Sequence, residues 1–395
     1  MNKMTFKDVD VSGKKVLVRV DFNVPFDTEG NISDDTRIVS AIPTIKYLLS
    51  NNAKVIICSH LGRPEGVYNA NFSMKKVLPK LKELLGMEVK MAEDVIGESA
   101  KSLIANLKEG EIVLLENVRF HAEEEANDEM FARNLASLAD IFVLDAFGTA
   151  HRAHASTAGV ANYIPAVAGF LVTKEITELD KALNPERPSV VIFGGKKVSD
   201  KIGIISSFLD KANTILIGGA MAFTFIMAEG GEIGLSRYEK DKIEVAKKIL
   251  ELAKEKNVNI VLPADVVCVR EFAPNAKSKV FNSFKIPADY QCVDIGPKTK
   301  KIFAKFIKQA KTVVWNGPLG VYEFKKFQKG TKAVATAIAK SKAVSIIGGG
   351  DSAAAIKASG QAGNITHIST GGGATLEFLE GKELPGIANL KTKES

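Results

Sequence analysis

The stretch LVTKEITELDKALNPERPS, from Leu171 to Ser189, decides how the chain is organised. Its apolar residues recur at the spacing of one helix face: Val172, Ile176, Leu179 and Leu183. This spacing predicts an amphipathic helix of about three turns, which Pro185 and Pro188 end because proline lacks the N–H group that a helix needs. Apolar runs before the stretch lead into arginine and histidine, whereas those after it lead into glycine. We therefore expect a helix that joins two domains with different ligands.

Length and composition indicate an ordinary globular protein. The chain has 395 residues, 46% of them hydrophobic and 25% charged, which is enough for two domains that each bury a core. The first ten residues lack the apolar core of a signal peptide, and no apolar run approaches the roughly 18 residues of a membrane span. We therefore expect no membrane partner. The three cysteines are far apart, so we expect free thiols and a reducing cytoplasm.

The distribution of positive charge separates two kinds of ligand. A net charge of +7 and a pI of about 9.0 are also found in nucleic-acid-binding proteins. Lysine and glutamate are interleaved at 240–256, however, which is typical of a solvated helix face, so we expect no nucleic acid. Five of the nine arginines lie near strand ends and loops of the first half: Arg19, Arg37, Arg63, Arg119 and Arg152. Because the guanidinium fork suits phosphate and carboxylate, this placement indicates an anion site.

Short apolar runs alternate with helical patterns in both halves. The predicted strands of the first half are 16–20, 54–59, 112–116 and 141–145, with 88–91 a weaker candidate, and helices are predicted at 42–49 and 130–139. The predicted strands of the second half are 190–193, 214–217, 259–262, 312–315, 343–347 and 366–369. This alternation predicts an α/β protein with two doubly wound, parallel-sheet, Rossmann-like domains. Ligands of such sheets bind beyond the carboxyl ends of the strands.

The segments near the strand ends of the first half are basic. They read VRVDFNVP (18–25), DDTRI (34–38), CSHLGRP (58–64), LENVRFH (115–121) and DAFGTAHRAH (145–154). They contain four of the five histidines, and on one rim they would form a cleft that attracts a small, multiply charged anion. We expect no metal there, because Arg152 lies between His151 and His154 and no cysteine is near.

The segments that follow the strands of the second half are rich in glycine. They read FGGKKVSDK (193–201), GGAMAF (218–223), WNGPLGVYE (315–323), GGGDSAAA (348–355) and STGGGATLEFLEG (369–381). Glycine lets backbone N–H groups approach a ligand closely, and a helix that follows adds its positive N-terminal end. Five such loops on one sheet predict a nucleotide, although nothing matches the P-loop pattern GxxxxGK[ST].

One of these loops allows a different nucleotide function. Gly348, Gly350 and Ala353 match the alanine form of a dinucleotide fingerprint, which would make the protein an NAD- or FAD-dependent oxidoreductase. That function needs an acidic residue about 20 positions further on to hold the ribose, and the chain has HIST at 367–370 instead. The oxidoreductase is kept as the alternative.

Eight segments, taken in order, closely resemble phosphoglycerate kinase: VRVDFNVP, SHLGRP, ENVRFH, DAFGTAHRAHAS, GGKKVSDKI, WNGPLGVYE, GGGDSAAA and STGGGATLEFLEGK. The resemblance runs from about Val11 to Lys382. It implies a reversible, Mg²⁺-dependent kinase reaction of glycolysis in which 1,3-bisphosphoglycerate and ADP give 3-phosphoglycerate and ATP. It also implies a monomer whose C-terminal tail packs back onto the first domain.

The resemblance assigns the two ligands to different domains. Phosphoglycerate is expected at Asp21, Asn23, Arg37, His60, Arg63, Arg119 and Arg152, with His151 and His154 nearby. The nucleotide is expected at Lys201, Glu323, Gly349, Gly350, Asp351 and Ser352, of which Glu323 holds the ribose and Asp351 carries the magnesium. The catalytic residues are expected to be Arg37, Lys201, Lys197 and Gly372. The chain departs from the family pattern at Lys196, Cys292, Ser352 and Thr375.

Ligands on separate domains require the domains to move. In-line transfer needs reacting atoms about 3 Å apart, and closure also excludes water from the acyl phosphate. We expect residues 1–171 with 383–395 to form the first domain, 172–188 the interdomain helix and hinge, and 189–382 the second domain. The chain passes between the domains a second time near 370–382, so we expect the hinge to consist of two chain segments.

Overall fold

A computed structural model describes residues 3–393 of the chain. Residues 1, 2, 394 and 395, which belong to the predicted first domain, lie outside the described residues. The chain divides into two compact units, Met1–Thr177 with Glu383–Ser395, and Glu178–Lys382. Each unit is built on its own six-stranded parallel sheet. Within residues 3–393, none of the helices has the length and apolar character that crossing a bilayer requires.

The first unit alternates strands and helices. Its strands are β1 Lys15–Val20, β2 Lys54–Cys58, β3 Lys90–Met91, β4 Ile112–Leu114, β5 Ile141–Asp145 and β6 Ala166–Ala168. Its helices are α1 Thr36–Ser50, α2 Leu78–Leu85, α3 Glu98–Ala105, α4 Ala122–Glu125 and α5 Glu129–Ala136. The sheet has the order β3-β4-β2-β1-β5-β6, with all neighbours parallel. Strands β1, β2 and β5 are buried almost throughout, as a sheet covered on both faces requires.

Helix α6, Phe170–Leu183, contains the boundary between the two units and confirms the helix predicted from the opening stretch. Val172 on its apolar face is fully buried, and Leu183 at its end is half-buried. Its first turn is capped by Asp145, the last residue of β5. The Oδ1 atom of Asp145 accepts hydrogen bonds from the backbone N–H groups of Leu171 at 2.8 Å and Val172 at 3.3 Å. The helix therefore begins at a buried acid, whose charge the helix dipole favours.

The second unit has more strands. They are β7 Ser189–Phe193, β8 Thr214–Ile217, β9 Glu232–Ile233, β10 Asn259–Val261, β11 Asp265–Val269, β12 Ser278–Asn282, β13 Lys285–Ile286, β14 Gln291–Ile295, β15 Thr312–Asn316, β16 Val344–Gly348 and β17 His367–Ile368. The helices are α7 Ile202–Phe208, α8 Ala222–Ala228, α9 Ile243–Glu255, α10 Pro297–Gln309, α11 Lys329–Lys340, α12 Gly350–Ser359 and α13 Gly373–Leu379. The parallel sheet has the order β10-β8-β7-β15-β16-β17, and a last helix, α14 Pro385–Ala388, belongs to the first unit.

Every predicted strand is present, with its ends displaced by two residues at most, so the doubly wound fold is confirmed for both units. Three features were not predicted. Strand β6 consists of three small residues at the edge of the first sheet. Strands β12, β11 and β14 form a separate antiparallel sheet, and β9 pairs with β13. Strand β12 is largely exposed and has no alternation of apolar and polar residues, so its pattern carries no strand signal.

Asp145 makes the stability of the first unit depend on pH. Burial raises the pKa of its carboxyl from the ordinary 3.8 to about 7, and its Oδ2 atom has no hydrogen-bond partner. Between these pH values the folded chain holds a proton that the unfolded chain has released. The free energy of unfolding therefore decreases as the pH rises from about 4 to 7. An asparagine side chain cannot titrate, so we expect the unfolding free energy of Asp145→Asn not to decrease in this way. Its difference from the wild type should grow in favour of the variant by about 1 kcal/mol per pH unit from pH 5 to 7.

The measurement is urea unfolding followed by circular dichroism at pH 5, 6, 7 and 8. The control is Asp10→Asn, which changes an exposed carboxyl of the same unit. A difference in unfolding free energy between Asp145→Asn and the wild type that stays constant with pH would contradict the role of Asp145.

Candidate active site

The loops after β1 and β2 are tied together in the first unit. Arg37, in the first turn of α1, forms an ion pair with Asp21, with 2.6 Å between Nη1 and Oδ2. The side-chain oxygen of Asn23 accepts a hydrogen bond from the backbone N–H of Gly62 at 2.9 Å. The side chain of Arg37 remains 41% exposed. Its guanidinium is therefore both oriented by Asp21 and accessible to an anion from solvent.

Arg119 lies almost entirely buried beside the same loops. It stands in a 3-10 turn, Val118–Phe120, after β4, and 4% of its surface is exposed. Its Nη1 atom donates to the carbonyl oxygen of Gly62 at 3.0 Å. Its Nε atom lies 3.2 Å from Oε1 of Glu125 but makes no hydrogen bond. A buried guanidinium with an unused donor favours an anionic ligand, because little water competes for it.

Arginines surround His60, which follows the end of β2. Burial is the largest effect on His60, and the charges of Arg19, Arg119, Arg37 and Arg152 add to it, so that its pKa falls well below 6.5. The imidazole is therefore neutral at neutral pH, and guanidinium groups supply the positive charge of the site. The structure thus places His60 in the field of four arginines. We call Arg19, Arg37, Arg119 and Arg152 the guanidinium cluster.

The other residues predicted for this site are less enclosed. Arg63 is exposed, and Arg152 is half-buried with its Nε atom 3.4 Å from Nε2 of His151. Burial, followed by the charge of Arg119, lowers the pKa of His154 to about 4. Both His60 and His154 are therefore uncharged near pH 7, which differs from the usual picture of a histidine as a partly charged anion ligand.

A hydrogen-bonded chain next to the guanidinium cluster was not predicted as part of the site. The Nε atom of Arg19 donates to Oγ of Ser156 at 2.7 Å, and that hydroxyl donates to Oε1 of Glu124 at 2.6 Å. All three residues are at most 1% exposed. The available signal was Arg19 itself, which lies between Val18 and Val20 in a central strand. An arginine in such a place must have buried polar partners.

In the second unit the loops after β7 and β15 touch through backbone atoms. These strands are neighbours at the point where the strand order reverses, which is where doubly wound sheets bind ligands. The N–H of Gly194 donates to the carbonyl of Asn316 at 2.9 Å, and the N–H of Gly195 donates to that of Pro318 at 2.8 Å. Gly317 has a φ of +93°, and a Cβ there would lie 2.2 Å from the carbonyl oxygen of Gly194. Glycine is required at this approach.

A cavity of about 480 Å³ adjoins these loops. Five residues predicted to bind the nucleotide or to act in catalysis line it: Lys197, Lys201, Glu323, Asp351 and Ser352. Asp351 and Ser352 stand in the first turn of α12, so this helix presents its N-terminal end to the cavity, which favours phosphate. Gly349 precedes α12, Gly350 begins it and Gly372 precedes α13, but none of these three lines the cavity.

Lys201 is held against the strand ends. Its ammonium group donates to the side-chain oxygen of Asn316, whose Nδ2 atom donates to the carbonyl of Gly348 at 2.7 Å. The Oγ atom of Ser352 accepts from the N–H of Gly317 at 2.6 Å. Burial lowers the pKa of Lys201 below 10.5, and carboxylates that include Asp351 oppose the shift. The loops after β15 and β16 and the lysine before α7 therefore form one hydrogen-bonded unit.

Asp351 is the residue predicted to carry magnesium. It is exposed, and among residues 3–393 no three His, Cys, Asp or Glu side chains are grouped as a resident metal site would need. Mg²⁺ commonly keeps several waters and is bound by one or two carboxylates together with substrate phosphates. One carboxylate at a candidate phosphate site therefore fits a magnesium ion that arrives on a nucleotide.

Part of the cavity wall is apolar and was not predicted. It is formed by Val266 of β11, Val293 of β14, Phe223 of α8 and Leu319 after β15. Such a surface suits the planar base of a nucleotide. Strands β11 and β14 belong to the antiparallel sheet, and no sequence pattern indicated that this sheet would border the glycine loops.

Comparisons with known proteins agree on one family. The sequence model of the family described as phosphoglycerate kinase matches residues 6–382. The chain is similar to a structure of phosphoglycerate kinase from Coxiella burnetii, with 42% identity, a TM-score of 0.92 and 98% of each chain covered. It is also similar to a crystal structure of phosphoglycerate kinase from Pyrococcus horikoshii OT3, with 34% identity, a TM-score of 0.79 and 98% of each chain covered.

Gly317→Ala should disrupt the contact between the loops after β7 and β15. The added methyl group would meet the Gly194 carbonyl at 2.2 Å, and the residue would keep a φ of +93°. Gly360→Ala is a matched control, because Gly360 has a φ of +73° but nothing within 4 Å of an added Cβ. We expect the control to lose about 1 kcal/mol of unfolding free energy from backbone strain, and Gly317→Ala to lose about 2 kcal/mol more.

Both variants are compared by urea unfolding, followed by the fluorescence of Trp315, the only tryptophan of the chain. Titration with ADP is the second readout, and we expect affinity to fall in Gly317→Ala alone. Equal losses of stability in the two variants would show that the close approach of the loops is unimportant.

Proposed function

The chain belongs to the phosphoglycerate kinase family, and we propose that it catalyses the reversible, Mg²⁺-dependent transfer of a phosphoryl group from 1,3-bisphosphoglycerate to ADP. It is a phosphotransferase of glycolysis, and not the NAD- or FAD-dependent oxidoreductase that the fingerprint at Gly348, Gly350 and Ala353 alone would allow. The observation that carries the proposal is that a chain of this family has a guanidinium cluster on one sheet and a glycine-walled cavity on the other. Its partners are small molecules, and we infer that it acts as a cytoplasmic monomer without nucleic acid or membrane.

The first unit binds the phosphoglycerate. Both ends of this acid are negatively charged, and the guanidinium groups of the cluster other than that of the buried Arg19 supply charged donors for them. The exposed Arg37 and Arg63 are reachable from solvent, whereas Arg119 is fixed and already desolvated. Asp21 and Asn23 hold Arg37 and the loop at Gly62 in place. The residues that bind the acid are Asp21, Asn23, Arg37, His60, Arg63, Arg119 and Arg152.

The second unit binds ADP or ATP in its cavity. The phosphates face Lys197, Lys201 and the N-terminal end of α12, and the base lies on the apolar wall. Glu323, which is exposed at the cavity, accepts hydrogen bonds from the ribose hydroxyl groups. The residues that bind the nucleotide are Lys201, Glu323, Gly349, Gly350, Asp351 and Ser352. Asp351 would hold the Mg²⁺ ion of the nucleotide, which, when bound, offsets the negative charge of the phosphates.

The residues of the two sites suit direct transfer. The attacking atom is a phosphate oxygen of ADP, and the acyl phosphate already has a good leaving group, so no nucleophilic side chain is needed. The work of the protein is orientation and stabilisation of charge on the transferred group. We assign this to Arg37 of the first unit and to Lys201, Lys197 and the backbone N–H of Gly372 in the second.

Transfer requires the two ligands to meet, and they are bound by different units. Reacting atoms must approach to about 3 Å, so we propose that the domains, residues 1–171 with 383–395 and residues 189–382, close about a hinge at 172–188. The boundary between the compact units, after Thr177 in α6, falls within this segment. Residues 370–382 form the second crossing of the hinge.

Lys201→Met tests the assignment of the transferring charge. We expect kcat for ATP-dependent phosphorylation of 3-phosphoglycerate to fall by roughly 10²- to 10³-fold, because one preorganised charged donor is lost. Methionine keeps the length of the partly buried stem. Lys308→Met, on the exposed side of α10, is the control and should leave kcat unchanged.

The assay couples formation of 1,3-bisphosphoglycerate to oxidation of NADH by an added dehydrogenase. Near-normal kcat in Lys201→Met would refute its role. Absence of any 3-phosphoglycerate-dependent turnover in the wild type, together with tight NADH or FAD binding and no ADP binding, would favour the oxidoreductase instead.

A further inference from the structure

We propose that Arg19, Ser156 and Glu124 are positioning residues that fix His60 as a neutral imidazole with its proton on Nε2, so that His60 donates a hydrogen bond to the anionic substrate. The proposal rests on the function proposed above, in which His60 contacts the phosphoglycerate. The three residues are at most 1% exposed, so they act through His60 and do not touch the substrate.

The tautomer of His60 follows from its contact with Arg19. The Nη2 atom of Arg19 lies 3.2 Å from Nδ1 of His60. A guanidinium has donors only, so Nδ1 must accept this hydrogen bond, and a neutral imidazole that accepts at Nδ1 carries its proton on Nε2. Nε2 has no hydrogen-bond partner among residues 3–393. Its N–H is therefore the one unused donor of the ring.

Arg19 is itself held by contacts whose direction is equally fixed. Its Nη1 atom donates to the carbonyl oxygen of Val20, and its Nε atom donates to Oγ of Ser156. Because Oγ accepts from Arg19, the hydroxyl proton of Ser156 goes to Oε1 of Glu124, while the backbone N–H of Ser156 donates to Oε2 at 2.9 Å. Glu124 is thus the negative end of a chain that runs through Ser156 and Arg19 to His60.

Charges from several elements keep His60 neutral. The charged groups that face it are Arg19 on β1, Arg37 on α1, Arg119 after β4 and Arg152 after β5. A second proton on the ring would lie on Nδ1, where it would point at the guanidinium of Arg19 and add a fifth positive charge. A neutral imidazole is not repelled by the guanidinium groups, and its single N–H donates to the anion with a defined direction. The arginines therefore supply attraction, and His60 supplies orientation.

The first test needs no substrate. Protein with ¹⁵N-labelled histidine is studied by long-range ¹H–¹⁵N correlation from pH 5.5 to 8, and His60→Gln identifies the signals of His60. We expect an unprotonated Nδ1, a protonated Nε2 and no titration over this range. A proton on Nδ1, or a titration midpoint near the ordinary 6.5, would overturn the proposal whether or not the protein is a kinase.

The second test uses Arg19→Met, which removes both the donor to Nδ1 and one positive charge. We expect the pKa of His60 to rise toward 6.5 and KM for 3-phosphoglycerate to increase about tenfold at pH 8, with KM for ATP unchanged. Burial and the other three arginines still lower the pKa of His60, so only part of His60 gains a proton as the pH falls from 8 to 6. That part binds the anion better, and the ratio of variant to wild-type KM should decrease. Taking the ratio cancels the titration of the substrate phosphate itself.

Arg133→Met is the matched control, because Arg133 is an exposed arginine of the same unit that pairs with Glu129 on α5. It should leave both KM values and their pH profiles unchanged. Ser156→Ala, a smaller change, should move the KM ratio in the same direction as Arg19→Met and keeps the test available if that variant does not fold. A KM ratio that is independent of pH in both variants would mean that Arg19 serves only stability.

Discussion

Parallel strands end on one edge of a sheet, and both proposed ligand sites depend on this constraint. In the first unit it brings the loops after β1, β2, β4 and β5 together, so that Asp21, His60, Arg119 and Arg152 meet although up to 131 positions separate them. In the second unit the same geometry brings the loops after β7, β15 and β16 around one cavity. The chemistry of each site is then set by what each loop contains, arginine in one case and glycine in the other.

The two proposed sites differ in the groups that they offer to a negatively charged ligand. The first unit uses guanidinium groups, and it compensates the most deeply buried of them, Arg19, with Glu124 through a single hydroxyl group. The second unit uses backbone N–H groups, a helix N-terminus and the ammonium of Lys201, which is tied to Asn316. The carboxylate and phosphate of phosphoglycerate pair well with guanidinium groups. The phosphate chain of a nucleotide can also accept hydrogen bonds from backbone N–H groups.

Local patterns predicted the local features of this protein. Short apolar runs that alternate with helical patterns predicted every strand of the two parallel sheets except β6, and residue types at the strand ends predicted the basic and glycine-rich loops. The features that were missed depend on distant contacts. The partners of Arg19 lie 137 positions away at Ser156, and no periodicity relates them. The antiparallel sheet was missed because β12 is exposed and lacks alternation, and with it the apolar wall at Val266 and Val293 was missed.

The antiparallel sheet and the parallel sheet contribute to the same cavity as separate parts. Strands β11 and β14 provide the apolar wall, whereas the residues proposed to face phosphate stand on the loops after β7, β15 and β16. Cys292 of β14, one of the positions where the chain departs from the family pattern, lines the cavity, whereas Lys201, Asn316 and Ser352 are hydrogen-bonded on the other part. Because these two parts stand on different strands, a substitution on β11 or β14 changes the surface proposed for the base while the loops with the proposed phosphate contacts keep their own hydrogen bonds.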